Sequence, residues 1–428
     1  MKNKYNIWNK WDPLKVVMLG DTYGVEFFRN IKNERIRSAL CRITDESKEE
    51  LAYFESVLKD FGCTVLRPKL DSNESIMDRI NEDKKITAPV PRSPLQPRDC
   101  QLVMGNDLVY IDGGDHPGGD HLAIKECLDK YSSNFLHAHV VLGKLAKPIR
   151  EHYYNMFAGA DWPPMEEIFK QGATFSYLSN FIQQELIEFK GFCSFSPGNA
   201  PPGSFNLVMT DAPGITVVGK DVYIEGSMKK TTNLLDLACS QKFRFNEVTI
   251  GGHSDGGFHT LKPGAILSLR DIQTYKNTFP GWDVCYLPDQ SWAKVEKFLK
   301  LKKKNKGKWW VPGEEDNDEF TYFVETWLQD WVGYVEETVF DVNVLVLDEH
   351  HVCVSNAKNE QVNAFLKKHK MEPVHIPWKH RYFWDGGLHC ITLDLYRDGS
   401  QQDYFPERKQ HVVSAPGHRH ERRLVGIL

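Results

Sequence analysis

The chain has 428 residues, 41% of them hydrophobic and 12% aromatic, which is ample for a real core and excludes a disordered polar chain. Its formal charge is −5 at pH 7, from 53 Lys+Arg against 58 Asp+Glu, which disfavours nucleic acid as a partner. Nine cysteines, an odd number without CxxC or CxxxC spacing, exclude a disulfide framework and a cysteine zinc site and suit free thiols in a reducing compartment.

The opening segment MKNKYNIWNKWDPLKVVMLG has no apolar signal core and no Arg-rich presequence. No apolar run approaches the roughly 20 residues needed to cross a bilayer. A soluble cytoplasmic protein is expected. Asn73-Glu74-Ser75 matches a glycosylation sequon but has no secretory context.

Residues 45–62 carry apolar positions at i, i+3, i+4 and i+7 and read as a helix. A short strand ending at Pro follows, FGCTVLRP (61–68). Residues 102–113 (LVMGNDLVYIDG) read as two apolar strands around a tight turn, and residues 215–226 (ITVVGKDVYIEG) repeat that plan. GWDVCYLP (281–288) is a strand ending at Pro, followed by a helical pattern over 290–303. NVLVLDEHHVCVSN (343–356) is a third strand pair, 359–370 a helix, and MEPVHIP (371–377) a last strand ending at Pro. The unit is strand, strand, helix, strand, recurring three to five times. Such a unit cannot bury its own apolar faces, but units packed around an axis bury one another. One α/β domain built from pseudo-repeats is expected over residues 1–428, with insertions near 150–205 and 300–320. The second insertion holds a basic run, KLKKKNKGK, and an acidic one, GEEDNDE, which read together as a solvated helix end and loop.

Four segments carry chemistry: Pro97-Arg98-Asp99, Thr210-Asp211-Ala212-Pro213-Gly214, the stretch with His253 and Asp255, and Gly386-Gly387-Leu388-His389-Cys390. Convergence at one end of the axis would put one Cys, one His and three carboxylates in a single pocket. That set makes sense for a guanidinium, which is planar, cationic and a poor electrophile. Two carboxylates can accept its paired N–H groups and fix its plane. A thiolate is the suitable nucleophile, and a His held by a carboxylate can protonate the leaving amine. Cys390 supplies the nucleophile, His253 with Asp211 the acid/base, and Asp99 with Asp255 the clamp. His389 is expected to alternate away from Cys390 and to be structural, as is His259. His350 and His351 fall in an exposed turn. The Gly-rich GGDHPGGDH (113–121) lacks a phosphate-loop Lys, and the 16 histidines show no metal spacing. No cofactor and no metal are expected; small molecules are the expected partners, and a homodimer the one protein association.

The ordered set of motifs resembles the amidinotransferases, the family of arginine:glycine and inosamine-phosphate amidinotransferases within the guanidino-group-modifying superfamily. WDPLKVVMLG, PRDCQLVMGNDL, DAPGITVVGKDVY, HSDGGFHTLKPG, NVLVLDEHHVCV and GGLHCITLDLYRDG carry the resemblance, and they span most of the chain. It implies a five-fold pseudosymmetric α/β propeller built from ββαβ repeats. It implies the same roles for Cys390, His253, Asp211, Asp99 and Asp255, and transfer of the amidino group of L-arginine to an amine through a covalent Cys intermediate, releasing L-ornithine. It also implies an Arg that holds a substrate carboxylate; Arg270 is the nearest basic residue. Glycine-using relatives carry small hydroxyl residues where this chain has Glu336-Glu337-Thr338; a carboxylate there suits an ammonium group, so the expected acceptor is glycine or another amine. A guanidino hydrolase giving citrulline and a catalytically silent binding protein are the alternative readings.

Overall fold

The computed structural model describes residues 4–70, 74–80, 90, 92–99, 101–110, 121–132, 212–225, 242–248, 253–269, 275–288, 309–332 and 339–408. Fourteen strands lie among them. They are β1 (Leu14–Leu19), β2 (Thr64–Leu66), β3 (Gln101–Met104), β4 (Asp107–Tyr110) and β5 (Ile215–Val218). Next come β6 (Asp221–Glu225), β7 (Arg244–Val248), β8 (Phe258–Lys262), β9 (Ala265–Leu269) and β10 (Asp283–Leu287). The last are β11 (Leu345–Val346), β12 (His351–Val354), β13 (Glu372–His375) and β14 (Thr392–Arg397).

The strands form five small sheets, in the orders β14-β1-β2, β3-β4, β5-β6-β7, β8-β9-β10 and β11-β12-β13. Every sheet begins with an antiparallel pair, and in the three-stranded ones a parallel strand is added after a crossover. The strand pattern of the expected pseudo-repeat is therefore present, and among the described residues the connecting helix is seen in two of the sheets, Glu34–Asp60 before β2 and Glu360–Lys368 before β13. Its hairpins form where the sequence supplies the turn: Gly105 and Gly219 both take φ 60, the positive φ that a two-residue hairpin needs. A Cβ on Gly219 would also lie 2.1 Å from the Gln402 carbonyl oxygen. The expected strands 61–68, 281–288 and 371–377 appear as β2, β10 and β13. One sheet escapes a linear reading, because β14 pairs with β1 across nearly the whole chain.

The helix Glu34–Asp60 starts earlier than the expected 45, because Ile36, Ala39, Leu40 and Ile43 continue the buried face of Leu51, Phe54 and Leu58. The Asn33 side chain caps it by accepting from the amides of Arg35 and Ile36, and Gly62 at φ 80 ends it. The helix Glu360–Lys368 matches its expectation and is capped by Asn359. Part of the charged stretch 300–320 is described: Asn317 caps the helix Asp318–Trp327, while Glu314 pairs with Arg42 on the long helix. The helical pattern 290–303, the basic run 300–308, the stretch 150–205 and residues 113–120 lie outside the described residues. A large apolar cluster including Phe27, Phe54, Trp331, Phe383 and Trp384 packs the long helix against the segment that leads into Cys390. No described helix is long and apolar enough to cross a membrane.

Candidate active site

Each sheet is entered through a short irregular segment that precedes the first strand of its antiparallel pair. Asp99 precedes β3, Ala212–Gly214 precedes β5, the one-turn helix Ser254–Gly257 precedes β8, Asn343 precedes β11, and Cys390 precedes β14. Hydrogen bonds tie these five entry segments to one another.

The Cys390 segment is built around three constraints. Asp385 takes φ 50, a left-handed turn that reverses the chain after the short helix Arg381–Trp384. The amide of Ile391 then donates to Gly387 O at 3.2 Å and that of Thr392 to His389 O at 3.1 Å, which winds 387–392 into a helical turn. Arg98, nine-tenths buried, staples the turn from outside: its Nε donates to His389 O and Thr392 O, both at 2.9 Å, and its Nη2 reaches Asp394 Oδ1 at 2.8 Å. Burial opposes the Asp394 charge, yet Arg397 and Arg98 hold its carboxyl below the usual range. Arg98, read only as part of a motif, is thus what fixes Asp99 against the Cys390 segment.

Cys390 is 7% exposed. Its thiol lies 3.5 Å from Asp255 Oδ2 and receives a hydrogen bond from Asn343 Nδ2 at 3.0 Å. Burial, then the carboxylates of Asp255 and Asp99, push the thiol pKa well above its ordinary value. The Gly387 amide and the Asn343 amide act in the opposite sense. Cys390, Asp255 and Asp99 are therefore brought together. Burial and the two carboxylates together favour the protonated sulfur.

Asp255 sits in the one-turn helix with His253 as its N-cap residue, and is 1% exposed. Its Oδ2 accepts from His389 Nδ1 at 2.8 Å; its Oδ1 has no hydrogen-bond partner among the described residues. The expectation that His389 would point away rested on a strand starting at 389. The strand starts at Thr392, and the helical turn before it swings the ring onto Asp255. Burial, aided by Arg98 and Lys10, drives the His389 pKa well below its ordinary value. That favours the neutral ring and makes the residue a poor candidate for acid/base work. His259 packs edge-on against it at 4.8 Å between ring centroids and is likewise held neutral by burial.

His253 is half-buried, and its ring makes no cap hydrogen bond. The neighbouring Ser254 Oγ donates to Pro213 O and lies 3.1 Å from Thr216 Oγ1, which ties the His253 segment to the stretch following Asp211. Ala212 and Pro213 also line a cavity of about 30 Å³ with Lys10, Arg98, His389 and Asp394. Asp211, Arg270, Glu336 and Glu337 lie outside the described residues.

Sequence reasoning missed Lys10 and Asn343. Lys10 is 8% exposed, and burial lowers its pKa to about 7 against the pull of Asp255. Nothing local marks a Lys between two tryptophans as buried. Asn343 opened a quoted motif but was absorbed into an expected strand. Among the described residues no group of His, Cys, Asp and Glu could hold a metal ion.

No protein-family model matches the chain. It is 22% identical over 384 residues to the L-arginine:L-lysine amidinotransferase of Pseudomonas savastanoi pv. phaseolicola, covering 84% of this chain and 81% of that protein. It is 21% identical over 439 residues to the mitochondrial glycine amidinotransferase of Xenopus tropicalis, covering 93% and 84%. Among solved structures it superposes on SxtG, an amidinotransferase from Microseira wollei in the saxitoxin biosynthetic pathway, with a TM-score of 0.54, 18% identity, and 94% and 100% of the two chains covered. The inosamine-phosphate amidinotransferase StrB1 from Streptomyces griseus gives a TM-score of 0.51 at 15% identity, with 94% and 99% covered. The fold is that of these two solved structures. Its sequence relatives are named as amidinotransferases, the family that the motifs resemble.

Proposed function

We propose that the protein moves the amidino group of L-arginine to an acceptor amine through a covalent intermediate on Cys390. The observation that carries this reading is the buried thiol held beside two carboxylates. Asp255 and Asp99 oppose a thiolate in the empty site, but a guanidinium seated between them cancels their field and makes the nucleophile as it binds. Asp255 Oδ1, buried and without a partner among the described residues, supplies an acceptor for a guanidinium N–H. In the first half-reaction the Cys390 thiol gives its proton to His253 and its sulfur bonds to the guanidinium carbon. The bond from that carbon to the ornithine nitrogen breaks, and His253 returns the proton to the leaving amine. In the second, the acceptor amine loses a proton to His253 and bonds to the amidino carbon, the carbon–sulfur bond breaks, and His253 returns the proton to the Cys390 sulfur. Asp211 holds His253; the Ser254 contact with Pro213 supports that placement. Arg270 is the proposed partner of a substrate carboxylate.

Five sheets of one plan, each entered through a segment of the site, support a five-fold propeller arrangement. The cysteine pattern supports a cytoplasmic enzyme. For the acceptor, the relative from P. savastanoi is named for lysine, which carries two amino groups. Glu336 and Glu337 precede Asn343 in sequence and would favour an acceptor with an extra ammonium group over glycine. Incubation with arginine and a panel of amines, with products read by mass spectrometry, tests the proposal. Ornithine formed only when an amine is present supports transfer; citrulline formed without any amine overturns it in favour of hydrolysis.

A further inference from the structure

The geometry points to Asn343 as a catalytic residue that stabilises the Cys390 thiolate. It is 2% exposed, and its carboxamide bonds to the nucleophile segment and to Asp255. Oδ1 accepts from two successive amides, His389 N at 2.9 Å and Cys390 N at 3.1 Å. Two backbone donors leave no ambiguity about which end of the carboxamide is oxygen, so the NH2 end must face the other way. It donates to Cys390 Sγ at 3.0 Å and to Asp255 O at 3.2 Å. One amide thus grips the backbone of the nucleophile, its sulfur and the backbone of a clamp residue.

The surroundings are shaped around this contact. A Cβ on Gly387 would lie 2.6 Å from Asn343 Oδ1 and 2.7 Å from its Cβ, so the carboxamide fits only because position 387 is glycine. Electrostatics gives the contact its purpose. The sulfur faces two carboxylates and is buried, and the cations Arg98 and Lys10 are directed at Asp394, His389 and Asp255. The fixed donors at the sulfur are neutral amides, those of Gly387 and Asn343. A neutral donor offers a hydrogen bond to negative sulfur without competing with an incoming guanidinium for the carboxylates, as a resident Lys or Arg would. Position also argues for the assignment: Asn343 occupies the entry segment of the fifth sheet, where the other four entries carry Asp99, the stretch after Asp211, His253 with Asp255, and Cys390.

This inference rests on Cys390 as the nucleophile of the proposed reaction, and it deepens that reading. The test is Asn343→Asp, which keeps the shape and the acceptor for both amides but turns the donor into a carboxylate oxygen. Iodoacetamide labelling of Cys390, followed by peptide mass spectrometry across pH, reports the thiolate without requiring any transfer. The midpoint should move to higher pH than in wild type, and kcat should fall by about 10²-fold or more with KM for arginine little changed. A folded variant with the wild-type labelling profile overturns the assignment. Where Asn343→Asp does not fold, the wild-type protein decides. A side-chain NH2 resonance from labelled asparagine should titrate with the same midpoint as alkylation and lose that titration in Cys390→Ser. If no asparagine resonance follows the midpoint, the assignment fails. Shifted labelling in an enzyme that transfers no amidino group would sink the transfer reading and leave the role of Asn343 standing.

Discussion

Asp255→Asn should move two properties of the same enzyme in opposite directions. The carboxylate lies 3.5 Å from the Cys390 sulfur, both groups are buried, and its charge opposes ionisation of the thiol. Two unit charges at that distance repel by about 5 kcal/mol at an effective dielectric of about 20. The amide variant removes the charge while keeping an oxygen for the neutral His389 Nδ1–H, so the local fold should hold. Alkylation of substrate-free Cys390 at pH 8 should then be faster than in wild type by about tenfold or more, since each 1.4 kcal/mol is one decade. Turnover of arginine should fall, because a buried charge-assisted bond to the guanidinium is lost. That loss is about 2–4 kcal/mol, or roughly 30- to 1000-fold in kcat/KM. Iodoacetamide labelling and steady-state kinetics on one preparation make the comparison. Slower or unchanged labelling would refute the electrostatic argument. Near-normal turnover would show Asp255 to be structural.

Three further outcomes follow from the same geometry. Gly387→Ala forces a Cβ into Asn343 and should cost about 2–4 kcal/mol in urea unfolding, from overpacking and weakened hydrogen bonds, with kcat reduced more than KM; wild-type stability would contradict the packing. Lys10 gives up its proton near pH 7 in the fold but only near 10.5 when unfolded, so its burial penalty is greatest below about pH 7 and fades as pH climbs toward 10.5. Lys10→Met should therefore be more stable than wild type at pH 6, by about 2–4 kcal/mol, with the gap closing toward pH 10; a gap independent of pH would contradict this. A short diamine should be a better acceptor than glycine, and Glu336→Ser or Glu337→Ser should narrow the difference; a strong preference for glycine, untouched by either change, would remove both residues from the acceptor site.

Much of this was legible because the signals are local. Gly105 and Gly219 announce hairpins between apolar runs, and Cys390 stands out because Gly386 and Gly387 precede it and a strand follows. The chemistry of a guanidinium groups Asp99, Asp255 and Cys390 from sequence, and the structure brings the three within electrostatic reach of one another. What stayed hidden depends on distance or on a shift of one or two residues. The pairing of β14 with β1 joins chain positions nearly 380 residues apart, for example Val17 with Asp394, and no local pattern encodes it. His389 is structural, as its place in the sequence suggests, but its ring does not turn away, because alternation applies only once the chain is extended and the helical turn runs to Thr392. Asn343 was hidden inside NVLVLDE, which looks like a strand from its first residue. The strand begins at Leu345, leaving Asn343 in the segment that meets Cys390.

The central claim is a covalent amidino group on Cys390. Intact-mass and peptide analysis of the wild-type protein incubated with L-arginine alone should show one added amidino group, located on the Cys390 peptide, with one equivalent of ornithine released. The adduct should disappear when a competent amine is added and should not form in Cys390→Ala. A normal rate of turnover with no adduct, or activity that survives in Cys390→Ala, would contradict the account.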